Sequence, residues 1–118
     1  MKRYFALIGA GGYGRVIMPV LIETVRNIGV VQESQIIFAV EGEEIQKTVN
    51  GYAVISVENY LQMSGERFFN VAIANSIVRE RIVNMCRASG LKSISIISQL
   101  AYLQDNSEIA EGAIISPL

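Results

Sequence analysis

Apolar residues keep two alternating rhythms along most of this chain. Residues 4–8 (Tyr4-Phe5-Ala6-Leu7-Ile8) form an unbroken apolar run that ends in Gly9-Ala10-Gly11-Gly12, as expected of a strand buried on both faces of a parallel sheet. Beyond it Ile17, Leu21, Val25 and Ile28 recur at steps of four and three before Gly29, so the spacing predicts a helix over 13–28 that packs one face on the sheet. Pro19 lies inside that helix and cannot donate to the carbonyl of Arg15; a kink or an irregular start is expected. Residues 35–40 make a second apolar, β-branched run. A polar stretch follows, from Glu41-Gly42-Glu43-Glu44 to the turn dipeptide Asn50-Gly51. Val54-Ile55 predicts a short third strand. Ser56 is placed to cap a brief helix through Met63, with Gly65 where a left-handed C-terminal residue is wanted. Residues 68–73 predict the next strand, and Asn75 or Ser76 caps a helix carrying Val78, Ile82, Met85 and Cys86 on one face. Gly90 closes that helix and residues 93–97 predict a final strand.

Strands that alternate with helices on short connections imply right-handed crossovers and a parallel sheet with helices on both faces. Residues 1–96 therefore read as a Rossmann-like α/β domain. From residue 97 the rhythm changes. Ile97, Leu103, Ile109 and Ile115 recur every six residues, and Ala101, Ser107 and Ala113 recur every six at four places after an aliphatic. A period of six fits neither a helix nor an ordinary strand. It fits the hexapeptide coil of a left-handed parallel β-helix, where the aliphatic points into the prism and the small residue sits at the corner. Residues 97–118 are expected to be the start of such a prism, little more than one turn, which needs another surface to cover it.

Composition narrows the function. One domain fits 118 residues, and 51% hydrophobic against 18% charged residues excludes a disordered chain. Ten basic and eleven acidic side chains leave a net charge of −1, so there is no basic field to gather a nucleic acid. The chain has no His and one Cys, Cys86, which removes imidazole acid/base chemistry, His/Cys zinc sites and any intrachain disulfide. No metal is expected. Arg15 interrupts the longest apolar stretch, so no membrane span is expected. Lys2-Arg3 and the run after them are too short for a secretory signal; a reducing cytoplasm suits the lone thiol.

Gly9-Ala10-Gly11-Gly12-Tyr13-Gly14 fits G-x-G-x-x-G between a predicted strand and a predicted helix. Glycines let the backbone turn and approach a ligand, and the helix start offers unpaired N–H groups to a phosphate. The same loop also serves as a tight packing turn. A dinucleotide site asks for an acid about 20 residues on, at the end of the second strand, to hold ribose hydroxyls. Glu33 has the spacing but precedes the strand; Glu41 stands at its carboxyl end, though it also reads as a solvated loop acid. Asn75 and Ser76 follow the fourth strand, at the edge where open α/β sheets bind ligands, and capping alone also explains them. Of Arg79, Arg81 and Arg87, only Arg79 lies near that cleft. Cys86 falls on the apolar face and reads as structural.

The glycine loop Ile8-Gly9-Ala10-Gly11-Gly12-Tyr13-Gly14-Arg15, with Asn50-Gly51-Tyr52-Ala53-Val54-Ile55, Val71-Ala72-Ile73-Ala74-Asn75 and Arg79, and Ser107-Glu108-Ile109-Ala110-Glu111-Gly112-Ala113, resembles the bacterial sugar acyltransferases of the PglD and NeuD type. The resemblance covers the whole chain. It implies an N-terminal domain that binds a UDP-sugar or other nucleotide sugar through Gly9, Gly11, Gly12, Tyr13, Gly14, Glu41, Asn75 and Arg79. It also implies a trimerising β-helix that holds acetyl-CoA between subunits. Tyr13 stands where the family often has His, Val40-Glu41 where it has acids that read the nucleotide, Ala74 where Gly is common, and Ser98-Gln99 where His-Pro often begins the repeats. The family's general-base His and its CoA-binding coils lie beyond the equivalent of Leu118, so no catalytic residue is assigned and the chain is expected to be inactive alone. The rival expectations are a dinucleotide-sensing module with Glu41 on the ribose, and a structural remnant with an empty loop.

Overall fold

The computed structural model describes residues 2–29, 35–42, 48–97 and 114–115. Strand β1 (Arg3–Ile8) leads into helix α1 (Gly12–Asn27). There follow β2 (Ile36–Val40), β3 (Thr48–Val49), β4 (Tyr52–Ser56), α2 (Val57–Gln62), β5 (Glu66–Val71), α3 (Ser76–Ala88) and β6 (Lys92–Ser93). The six strands form one sheet in the order β3-β4-β2-β1-β5-β6. Its neighbours run parallel except β3 and β4. A separate parallel pair joins β7 (Ile96–Ile97) to β8 (Ile114–Ile115).

Strand β1 is apolar from Tyr4 to Ile8, and both of its faces are covered from Phe5 onward. Phe5 and Leu7 join Ile17, Leu21 and Val25 of α1 on one side, while Ala6 and Ile8 join Val57 and Tyr60 of α2 and Ile82 and Cys86 of α3 on the other. Phe5 stacks on Phe68 of β5 with ring centroids 4.9 Å apart. Pro19 does not end α1. It lies on the exposed side of the helix, where water can serve the carbonyl it leaves without a donor.

Local chemistry sets the ends of the elements. Ser56 accepts from the N–H of Asn59 at 3.0 Å and starts α2. Leu91 N–H reaches the carbonyl of Cys86 and Gly90 N–H that of Arg87, with Gly90 at φ +83, which is a Schellman close for α3. Arg67 of β5 donates to the carbonyls of Leu61 and Ser89, tying the ends of α2 and α3 together. The Tyr60 hydroxyl donates to the carbonyl of Phe68 at 2.6 Å, and burial pushes its pKa up.

Three expectations need correction. The polar stretch before Asn50-Gly51 hides β3: Asn50 and Gly51, at φ 51 and 85, make the two-residue turn of a β3–β4 hairpin. Gly65 does not close α2, whose C-cap Met63 is extended; at φ +101 it instead lets the backbone pass close to Lys2, whose carbonyl accepts from the N–H of Glu66 at 3.0 Å. The strand expected over 93–97 is split. Lys92 and Ser93 stay in the main sheet, while Ile96 turns away to pack with α1. Leu103, Ile109, Ala101, Ser107 and Ala113, like Glu33, Glu43, Glu44 and Ser98-Gln99, lie outside the described residues.

Candidate functional site: the crevice at the carboxyl edge of β1, β2 and β5

Strand β1 lies between β2 and β5. The chain leaves β1 for α1 on one face of the sheet and leaves β5 for α3 on the other. Connections that diverge from adjacent strands open a crevice at the carboxyl edge, the usual ligand position in open α/β sheets. Gly9 sits at its base. Its N–H donates to the carbonyl of Ala39 at 2.9 Å, its φ is +115, and a Cβ there would lie 2.7 Å from the carbonyl oxygen of Ala72. A Cβ on Gly14 would run into the carbonyl oxygen of Gly9. Packing therefore requires glycine at both positions. It does not at Gly11 and Gly12, where a Cβ would meet nothing within 4 Å. Gly11 is moreover at φ −74, ψ −169, a conformation open to any residue.

Gly11 is the N-cap of α1 and has no side chain to accept from the first turn, which contains no acid. The first N–H groups of a helix have no partner within it, so this turn presents bare donors and the positive end of the dipole. Tyr13 belongs to this turn by its backbone; its side chain lies outside the described residues. Arg15 Nε donates to the carbonyl of Ala10 at 3.2 Å and braces the loop. The neighbouring junction differs. Asn75, not Ser76, caps α3, its Oδ1 accepting from Ile77 N–H at 3.0 Å and Val78 N–H at 3.1 Å. Arg79 folds back on that loop, donating to the carbonyl of Ile73 at 3.3 Å. It also borders a cleft of about 200 Å³ with Arg87, Val83, Asn70 and Ser93.

Glu41 stands one residue past β2, as the sequence places it, and meets Arg81 of α3. The guanidinium donates to both carboxylate oxygens, at 2.7 and 2.8 Å. That hydrogen bonding, helped by the charge of Arg81, holds the Glu41 carboxyl below the usual carboxylate range against the opposing effect of burial. Sequence reasoning missed Arg81 in this role, because nothing in its spacing points to a partner 40 residues away. Cys86 is buried and burial pushes its thiol up to about 11, which fits packing rather than reactivity. Among the described residues no three His, Cys, Asp or Glu side chains come together, and no helix is long and apolar enough to cross a membrane.

Residues 5–86, the β1–α3 unit that builds this crevice, match the model of the PglD N-terminal domain. The chain belongs to that family. It is 33% identical over 115 residues to the GDP-perosamine N-acetyltransferase of Escherichia coli O157:H7, covering 96% of this chain and 51% of that protein. Among solved structures, WeeI from Acinetobacter baumannii AYE superposes with a TM-score of 0.86 at 27% identity, covering 96% of this chain and 52% of its own. The acetyltransferase domain of PglB from Neisseria gonorrhoeae FA1090, solved in complex with acetyl coenzyme A, has a TM-score of 0.76 at 27% identity, covering 97% and 53%. The chain thus spans about half the length of these relatives.

Proposed function

We propose that this chain is the nucleotide-sugar-binding part of an acetyl-CoA-dependent sugar acyltransferase and does not transfer an acetyl group by itself. The observation that carries the reading is the bare first turn of α1 at the crevice, with Gly11 and Gly12 leaving space that packing does not require. A diphosphate fits there as an anion held by backbone N–H groups. The nucleoside then extends toward Glu41 at the end of β2, and the sugar toward the loop of Asn75 and Arg79. The GDP-perosamine N-acetyltransferase relative supports a sugar nucleotide as ligand, and the PglB complex supports acetyl-CoA as the acyl donor of the complete enzyme.

Transfer to a sugar amine or hydroxyl needs a base near neutrality, the work of a His, and the 118 residues contain none. The pairing of Ile96 with Ile114 and Ile97 with Ile115 spans eighteen residues, the length of three hexads. That offset supports reading residues 97–118 as the start of a left-handed β-helix, and with it a trimeric assembly of the complete protein; the lone thiol of Cys86 suits a cytoplasmic setting. Thermal shift with a UDP-sugar, a GDP-sugar, NAD and acetyl-CoA tests the reading. A nucleotide sugar at 100 times its Kd should stabilise the chain by about 2.7 kcal/mol, with no shift from acetyl-CoA. A shift from NAD alone would make the chain a dinucleotide sensor, and no shift from any ligand would leave the loop a packing turn.

A further inference from the structure

We propose that Arg81 is a positioning residue for the nucleoside end of the ligand, holding the Glu41 carboxylate in the orientation that reads it. The inference rests on the reading of the crevice given above. Glu41 is the first residue after β2, and its side chain and that of Arg81 are 40% and 54% exposed. A glutamate in such a place samples many rotamers, and any ligand that used it would have to bear the cost of ordering it. Here both oxygens are instead met by one rigid fork, at 2.7 and 2.8 Å. Arg81 rises from the second turn of α3, whose start Asn75 fixes, so the fork is anchored to the element that forms the other wall of the crevice.

An exposed pair contributes little to stability, so the bidentate geometry calls for another purpose. Each carboxylate oxygen that accepts one bond from the guanidinium keeps a second lone pair. The pair can therefore still accept from a ribose hydroxyl or a base N–H while the fork keeps it still. A lysine at 81 would supply a point charge without the fork.

Titration calorimetry of the 118-residue chain with UDP, GDP and inorganic pyrophosphate separates this role from a general one. In Arg81→Gln the tighter nucleoside diphosphate should weaken on the order of tenfold, pyrophosphate should stay within about twofold, and Arg81→Lys should recover part of the loss. Circular dichroism should show all variants folded. Nucleoside diphosphate binding in Arg81→Gln as tight as in the unaltered chain, while Glu41→Gln weakens it, would overturn the positioning role and keep the crevice reading. Equal loss of nucleotide and pyrophosphate would overturn it too. Failure of the unaltered chain to bind either nucleotide would overturn the crevice reading itself.

Discussion

Two strand-to-helix junctions lie side by side at the carboxyl edge of the sheet, and they satisfy the same physical demand in opposite ways. After β5, Asn75 turns its carbonyl oxygen on the first N–H groups of α3. After β1, Gly11 has no side chain to turn on the first N–H groups of α1, and the space around Gly11 and Gly12 is open. Over glycine a polar cap adds a few tenths of a kcal/mol and an acid beside the helix dipole about 0.3–1 kcal/mol, and the backbone at Gly11 would accept either, so α1 forgoes a modest stability available to it. The helix with its donors satisfied is a wall of the crevice. The helix without a capping side chain is where the proposed anion would sit. Position in the sheet alone would not tell the two apart, since both helices begin at the same edge.

The contrast breaks most severely at Gly14. A Cβ there meets the carbonyl oxygen of Gly9, so Gly14→Ala must push α1 off β1. A cost of about 3 kcal/mol, or a Tm drop of roughly 10 °C or more, is expected in thermal denaturation. A Tm within a few degrees of the unaltered chain would show that α1 does not need so close an approach.

Gly11→Asp converts one junction into the other. The carboxylate should cap α1 and suit its dipole, raising stability by about 1 kcal/mol, while its charge and bulk occupy the place of a phosphate. Thermal shift should show a higher Tm without ligand and none of the roughly 2.7 kcal/mol that a saturating nucleotide sugar confers. Retained ligand stabilisation would move the anion site away from this turn.

Much of this comparison was legible in the residues themselves. The apolar run of β1, the period of α1 and the cap at Asn75 are local signals, and each lies in the element it predicted. The glycine motif was also legible, but not the division of labour within it. Gly9 and Gly14 are held by contacts with Ala72 and with each other, which only the folded chain brings together, while Gly11 and Gly12 have no such contacts. Strand β3 escaped because two residues are too short to show a rhythm. The split between Ser93 and Ile96 escaped because Ile94 and Ile96 read equally well as one strand; what separates them is the apolar face of α1, which takes Ile96 into its core. Arg81 escaped because its partner is set by topology.

Asn75→Ala sharpens the contrast from the capped side. Ile77 and Val78 lose their acceptor, and stability should fall by about 1 kcal/mol in denaturant titration with an unchanged slope. Pyrophosphate binding at the α1 turn should survive this change, since Asn75 uses its oxygen within α3. Loss of pyrophosphate binding without loss of stability would place Asn75 on the anion and erase the distinction between the junctions.

The smallest effect concerns the pair that joins the end of β2 to α3. Arg81 lowers the Glu41 pKa from its usual 4.5 by hydrogen bonding and then by charge, with burial opposing. A carboxyl whose pKa is lower folded than unfolded adds stability that is fully present above the unfolded value and is lost as pH falls through the folded one. The Tm advantage of the unaltered chain over Glu41→Gln should therefore be steady near neutral pH, shrink as pH falls below 4.5, and nearly vanish once the carboxyl is protonated. Because the pair is exposed, molar salt should shrink the advantage as well. An advantage that persisted in acid would mean that the shape of Glu41, not its charge, is what Arg81 holds.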